Sequence, residues 1–271
     1  MTRVKRSAPA VGSCATGQAT PAAGPLESAT GDGWELRLGR WQDALAGVTC
    51  DAIVTDPPYG ARTHENTRSL GNERADGYAM ENLGPGYTAW TSADIDEFVQ
   101  SWSPRCRGWI VTLTSHDLIP AWQAAHEAVG RYCFAPVPCV IRGMSVRLCG
   151  DGPSSWTVYA VVARPATQEF ARWGTLDGAY VGGNGSHGRG GGTDRGGGRG
   201  KPSWLEHALV RDYSRPGDVV VDPMAGFGGA LAAAVSLGRT AIGAEMDAAA
   251  FLEAKRRLAR PLQIDMLAGL V

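Results

Sequence analysis

Short apolar stretches with a period of two alternate along the chain with longer stretches of helical spacing. Trp34-Glu35-Leu36-Arg37-Leu38 alternates like a strand, and residues 41–46 are spaced as one short helix. Asp51-Ala52-Ile53-Val54-Thr55 is a short apolar strand running into Asp56-Pro57-Pro58-Tyr59-Gly60. Two prolines continue neither a sheet nor a helix, so the strand ends there. Helical spacing returns over residues 91–102, with Thr91 or Ser92 as the cap, and over residues 118–129. Residues 109–113, 132–137 and 156–163 read as strands, the last rich in aromatic and β-branched residues. The C-terminal third predicts an amphipathic helix over 203–213, a strand over 218–221 and a turn feeding a helix over 226–237. A strand over 240–244 ending at Glu245 and a helix over 247–259 follow. Strands alternating with helices predict an α/β fold with a parallel, doubly wound sheet.

Three segments break this rhythm. Residues 1–33 are rich in Ala, Gly, Pro, Ser and Thr without apolar periodicity, which predicts a disordered leader ahead of a domain spanning 34–271. Residues 61–88 are polar and read as a long loop, and long loops inside compact domains tend to be functional or disordered. Residues 182–200 are nearly all glycine and predict a flexible connector or lid without packed structure.

At 271 residues the chain suits one α/β domain plus tails. No apolar run reaches membrane-spanning length, and the basic N-terminus is not followed by the apolar stretch of a signal peptide. A cytoplasmic protein with no membrane partner is implied. The net charge of −1 offers no argument for nucleic acid. The six cysteines form no C-x-x-C pair and no zinc spacing, so they read as reduced thiols and no metal site is expected.

Two loops carry candidate chemistry. Val219-Val220-Val221-Asp222-Pro223-Met224-Ala225-Gly226-Phe227-Gly228-Gly229 is a buried strand followed by a glycine-rich turn into a helix. Glycines admit a ligand close to the backbone, and the helix start offers free amides. The next strand ends in Glu245, where an acid can take both hydroxyls of a ribose. The spacing differs from G-x-G-x-x-G, which favours a nucleoside-type cofactor over a dinucleotide. The other loop, Asp56-Pro57-Pro58-Tyr59, follows a strand and belongs at the carboxyl edge of the sheet, where open α/β folds bind ligands. The amino group of a base is a poor nucleophile because its lone pair is delocalised into the ring. A carboxylate and a backbone carbonyl at fixed angles accept its hydrogens and localise that pair, and prolines stiffen the loop that carries them. Tyr59 can stack on a base, worth about 1–3 kcal/mol, against an extrusion cost of a few kcal/mol.

With these motifs the chain resembles the beta-class DNA amino-methyltransferases, the kind found in restriction-modification systems and in phages. In that family D-P-P-Y comes first and the cofactor half last. Here Lys201-Pro202 precedes a helix, Asp222-Pro223-Met224-Ala225-Gly226-Phe227-Gly228 follows a strand, and Gly243-Ala244-Glu245-Met246-Asp247 closes the next. The resemblance covers 34 to about 258, with 61–88 and 136–200 the variable DNA-contact and flexible segments. It implies a circularly permuted, Rossmann-like, doubly wound mixed sheet of the S-adenosylmethionine-dependent methyltransferase type. It further implies that Asp56 and the Pro57 carbonyl hold the target amino group, with Pro58 completing the loop and Tyr59 stacking on the flipped base. Asp222, Pro223, Ala225, Gly226 and Gly228 would cradle the methionine part of S-adenosyl-L-methionine. Glu245, with Asp247 beside it, would hold the ribose, and Lys201, Pro202 and Ser203 would flank the pocket. Methyl transfer would be direct, without a covalent enzyme intermediate.

Three departures stand out. Met224 replaces a usual Phe, a swap of similar volume. Gly228-Gly229 replaces a common Gly-Thr and removes a hydroxyl contact. Arg40 stands where the family usually has a cofactor-contacting acid, with Asp43 near enough to substitute.

The implied partner is double-stranded DNA, in a bacterial cell or phage-infected host. Arg62, Arg68, Arg74, Arg142 and Arg147 are candidate contacts in the variable segments. The chain is short of a large recognition region, which leaves a short site or a homodimer. A cognate restriction endonuclease elsewhere is a further implied partner. D-P-P-Y leans to adenine N6, with cytosine N4 the alternative. A cytosine carbon-5 enzyme using Pro138-Cys139 is disfavoured by D-P-P-Y and by motif order, and order also disfavours RNA or protein-glutamine methyltransferases. A non-catalytic DNA-binding regulator with a degenerate site is the reading from another class, against which intact Asp56, Pro57, Tyr59 and Glu245 argue.

Overall fold

The computed structural model describes residues 27–61, 88–144, 155–167, 173–184 and 200–260. Its ten described strands form a single sheet. In chain order they are β1 (Glu27–Gly31), β2 (Trp34–Leu38), β3 (Ala52–Thr55), β4 (Ile110–Thr114), β5 (Arg131–Cys133), β6 (Val137–Arg142), β7 (Thr157–Pro165), β8 (Tyr180–Gly183), β9 (Val219–Asp222) and β10 (Thr240–Glu245). The described helices are α1 (Trp41–Ala44), α2 (Ser92–Trp102), α3 (Ile119–Ala128), α4 (Ser203–Tyr213), α5 (Gly229–Ser236) and α6 (Ala248–Leu258). The strands lie in the order β1-β2-β10-β9-β3-β4-β7-β6-β8, with β5 also on β7.

The middle of the sheet, β2-β10-β9-β3-β4, is parallel, and β7 runs antiparallel to β4. Parallel strands are covered on both faces, and alternate residues of the central strands serve the two sides. Ala52, Val54, Val111 and Val220 join α4, α5 and α6 in one core. Ile53, Ile110 and Val221 join α1, α2 and α3 in the other. That second core is aromatic: Phe98 meets Trp122 edge-on at 5.6 Å and Trp41 at 5.5 Å between ring centres. Burial of each such side chain contributes roughly 1.5–3 kcal/mol. The Thr91 amide and hydroxyl both donate to Asp94 Oδ2, at 2.8 and 2.6 Å, which fixes the start of α2.

Three expectations change. Order begins at least as early as Glu27, ahead of the boundary expected at Trp34, because β1 pairs along the whole of β2 through a turn at Asp32-Gly33. Gly33 takes φ +73°, the left-handed conformation such a turn needs. The strand expected over 132–137 is two, β5 and β6, broken before Val137. Both pair with the long β7, β5 against its C-terminal end and β6 against its N-terminal end. The glycine run was expected to lack packed structure from 182, yet Gly182 and Gly183 complete β8. Trp204 explains this: its ring occupies the space a Cβ on Gly182 would need, and its indole N–H donates to the Gly183 carbonyl at 2.8 Å. Residues 185–199 lie outside the described residues.

Candidate active site

From β3 the chain leaves towards β4, and from its neighbour β9 it leaves towards β10, in the opposite direction. The crevice beyond the carboxyl ends of β3 and β9 is therefore a topological switch point, the usual ligand site of such sheets. The two candidate loops meet there, though 167 positions separate the residues that join them. The Thr55 hydroxyl, last on β3, donates to Asp222 Oδ1, last on β9, at 2.7 Å. The Met224 amide donates to the same oxygen at 3.2 Å.

Asp56 is half-buried at the edge. Its Oδ1 accepts from the Tyr59 hydroxyl at 2.8 Å and its Oδ2 from Lys201 Nζ at 2.5 Å. Lys201 also lies 4.9 Å from the centre of the Tyr59 ring. Pro57 is buried, and the Trp90 amide donates to the Tyr59 carbonyl at 3.1 Å, anchoring the far end of the loop. Gly60 is pressed against Asp117, whose Oδ2 would lie 2.5 Å from a Cβ at that position.

Across the crevice, the turn after β9 carries Gly226 at φ +51° and Gly228 at φ +74°. A Cβ on Gly228 would press on the Cβ of Ala254 at 3.1 Å, while one on Gly226 would meet open space. Gly228 is the N-cap of α5, so the first amides of that helix point out of the turn. Glu245, at the end of β10, accepts from the Gly226 amide at 2.7 Å and from the Asp247 amide at 2.8 Å. Each oxygen keeps acceptor capacity beyond these bonds. Asp247 caps α6, accepting from the Ala250 amide at 2.7 Å. Pro223 and Ala225 are buried beneath the turn.

The crevice is acidic. Burial pushes the Asp222 carboxyl up to about 7; the Thr55 and Met224 hydrogen bonds pull against this, and the charges of Asp56 and Glu245 add to it. Burial also raises Glu245, opposed by its backbone hydrogen bonds. Glu206 on α4 is a further acid that the motifs did not point to. Burial pushes it up to about 8, with Arg257 and Lys201 opposing and Asp222 and Asp56 adding to the rise. Its signal was present in the helix pattern: it shares the inward stripe with Leu209, Val210 and Tyr213, where a charged residue is out of place.

The remaining site expectations divide. Lys201, Pro202, Asp222 and Glu245 are brought to one crevice with Asp56, whereas Ser203 is exposed at the first turn of α4. Arg40 is exposed and Asp43 half-buried past the end of β2, which pairs with β10 up to Leu38 opposite Glu245. His116 is exposed. Cys139 is fully buried on β6 and burial pushes its thiol up to about 12, the wrong direction for a nucleophile. Arg142 is exposed at the carboxyl end of β6, which runs in the same direction as β3. Arg62, Arg68, Arg74 and Arg147 lie outside the described residues.

A family model, N6_N4_Mtase, described as DNA methylase, matches residues 198–256, the half of the site from Lys201 to α6. Among solved structures the chain is similar to the M1.HpyAVI–SAM complex at 18% identity, covering 83% of this chain and 99% of that one, with a TM-score of 0.55. It is similar to TTHA0409 from Thermus thermophilus, complexed with S-adenosyl-L-methionine, at 22% identity, over 84% and 93%, with a TM-score of 0.54. The cytosine-N4-specific PvuII DNA methyltransferase matches at 12% identity over 89% of each chain, with a TM-score of 0.55. The fold is the Rossmann-like doubly wound sheet of these methyltransferases.

Proposed function

We propose that the chain is a DNA amino-methyltransferase that uses S-adenosyl-L-methionine and methylates adenine N6. The observation that carries this reading is the Thr55–Asp222 hydrogen bond, which sets the D-P-P-Y carboxylate beside the glycine turn. The residues suit the cofactor. Gly226 borders open space, and Asp56, Asp222 and Glu245 suit a ligand bearing positive charge. Asp222, Pro223, Ala225, Gly226 and Gly228 hold the methionine part, Glu245 the ribose, and Lys201 and Pro202 the flank, while Asp247 keeps the Glu245 loop in place. When bound, S-adenosylmethionine supplies a methyl group activated by its sulfonium.

The chain's own residues prepare the nucleophile. Lys201 keeps hold of Asp56 Oδ2, and Tyr59 gives up Oδ1 so that its ring can stack on the extruded base. Oδ1 and the Pro57 carbonyl then accept the two amino hydrogens, which localises the nitrogen lone pair towards the cofactor. Pro57 and Pro58 stop the carbonyl from swinging away. Arg142 at the same sheet edge meets a phosphate. Arg62, Arg68 and Arg74, which follow Ala61 in sequence, and Arg147, which follows Met144, serve the same purpose.

The test is incubation of the purified chain with duplex DNA and S-adenosylmethionine, followed by nucleoside mass spectrometry. N6-methyladenine is the expected product. Only N4-methylcytosine would move the target to cytosine, and cofactor and DNA binding without any methylated base would favour a non-catalytic regulator.

A further inference from the structure

Position 229 opens α5 directly after the glycine turn, so a side chain there would stand at the rim of the cradle. Gly229 has none. A Cβ built on it would overlap both carboxyl oxygens of Glu206, which reaches across from α4 into that space. The resembling family commonly carries a threonine at this position, whose hydroxyl is absent here. We propose that Glu206 is a cofactor-binding residue that replaces the missing side chain, its neutral carboxylic acid donating a hydrogen bond to the amino-acid carboxylate of S-adenosylmethionine. The inference rests on reading the crevice as the S-adenosylmethionine site.

The chemistry decides the protonation state. A hydroxyl at this place donates to an anion. An ionised carboxylate accepts only and would repel one, whereas a carboxylic acid has an O–H to give. The groups facing Glu206 are Asp222 at the end of β9, Asp56 after β3, Lys201 ahead of α4 and Arg257 on α6. Burial and the two aspartates outweigh the two cations, and its pKa is carried up to about 8, so the acid form prevails at neutral pH.

The test is calorimetric titration of the full chain with S-adenosylmethionine from pH 6.5 to 9, for the wild type and three variants. Glu206→Gln keeps an uncharged donor. It should bind like the wild type at pH 7 and more tightly at pH 9, where the wild type loses about tenfold per pH unit. The cofactor's own amine titrates at about 8, so the comparison is made with Glu206→Gln at each pH. Glu206→Ala should weaken binding about tenfold, and adding Gly229→Thr in the freed space should recover it. Equal affinity of wild type and Glu206→Ala, with only the melting temperature changed, would make Glu206 a structural cap and overturn the proposal. So would an alkaline loss that Glu206→Gln retains. A wild type that takes up no S-adenosylmethionine at any pH would overturn the site reading itself, and this proposal with it.

Discussion

Replacing Asp222 with Asn should make the protein more stable and less able to bind its cofactor. Asp222 Oδ1 accepts from Thr55 and Met224, and an Asn oxygen accepts both bonds equally well. What the substitution removes is a buried charge. The carboxyl is carried from the ordinary 3.8 to about 7 in the fold. At about 1.4 kcal/mol per pH unit this corresponds to on the order of 4 kcal/mol at pH above both values. The sign follows from linkage. The folded state holds the proton more tightly, so the wild type loses stability as pH rises from about 4 through about 7, then levels off. Asp222→Asn lacks that loss. Relaxation of the site reduces the figure, but even about 2 kcal/mol raises the melting midpoint by roughly 4–8 °C. The assay is urea denaturation of both proteins from pH 5 to 8.5, read as the difference between their stabilities. Glu206 and Glu245, raised in the same direction, then largely cancel. A variant less stable than the wild type at pH 8, or a difference that does not grow with pH, would refute the reasoning.

Two further outcomes follow from the same crevice. Lys201→Met removes the cation on Asp56 Oδ2 and should lower turnover about 100-fold by misplacing the carboxylate, with calorimetric affinity for S-adenosylmethionine falling much less than turnover. Glu245→Ala should weaken that affinity about 100-fold, through loss of charge-assisted hydrogen bonds, and should make the turn at Gly226 exchange its amide hydrogen faster.

Much of this architecture was legible in the residue pattern because the elements that build the site are buried on both faces. β3, β4, β9 and β10 read as apolar runs, and prolines and glycines marked where they stop. Where the pattern misleads, partners rather than local residues decide the structure. Glu27-Ser28-Ala29-Thr30-Gly31 has one buried residue and becomes a strand only by pairing with β2. Gly182 and Gly183 have no side chains to pattern, and it is Trp204, on the helix that follows in sequence, that secures them. Within the site, Asp56, Asp222 and Glu245 stood out because each stands at the carboxyl end of a strand. Glu206 was masked: it lies on the stripe of Leu209, Val210 and Tyr213, but a glutamate near a helix start also looks like a favourable dipole partner. The packing of α4 against α5 turns it into a half-buried acid pressed against a glycine. The ion pair of Lys201 with Asp56 was likewise invisible, being a contact across 145 positions.

The central claim is that Asp56 activates an amino group on DNA. Methylation-aware sequencing of DNA from cells expressing the wild type or Asp56→Ala tests it most directly. The account predicts N6-methyladenine at one short recurrent sequence with the wild type and none with the variant, whose cofactor affinity stays within about tenfold. The same methylation pattern from both proteins would contradict it.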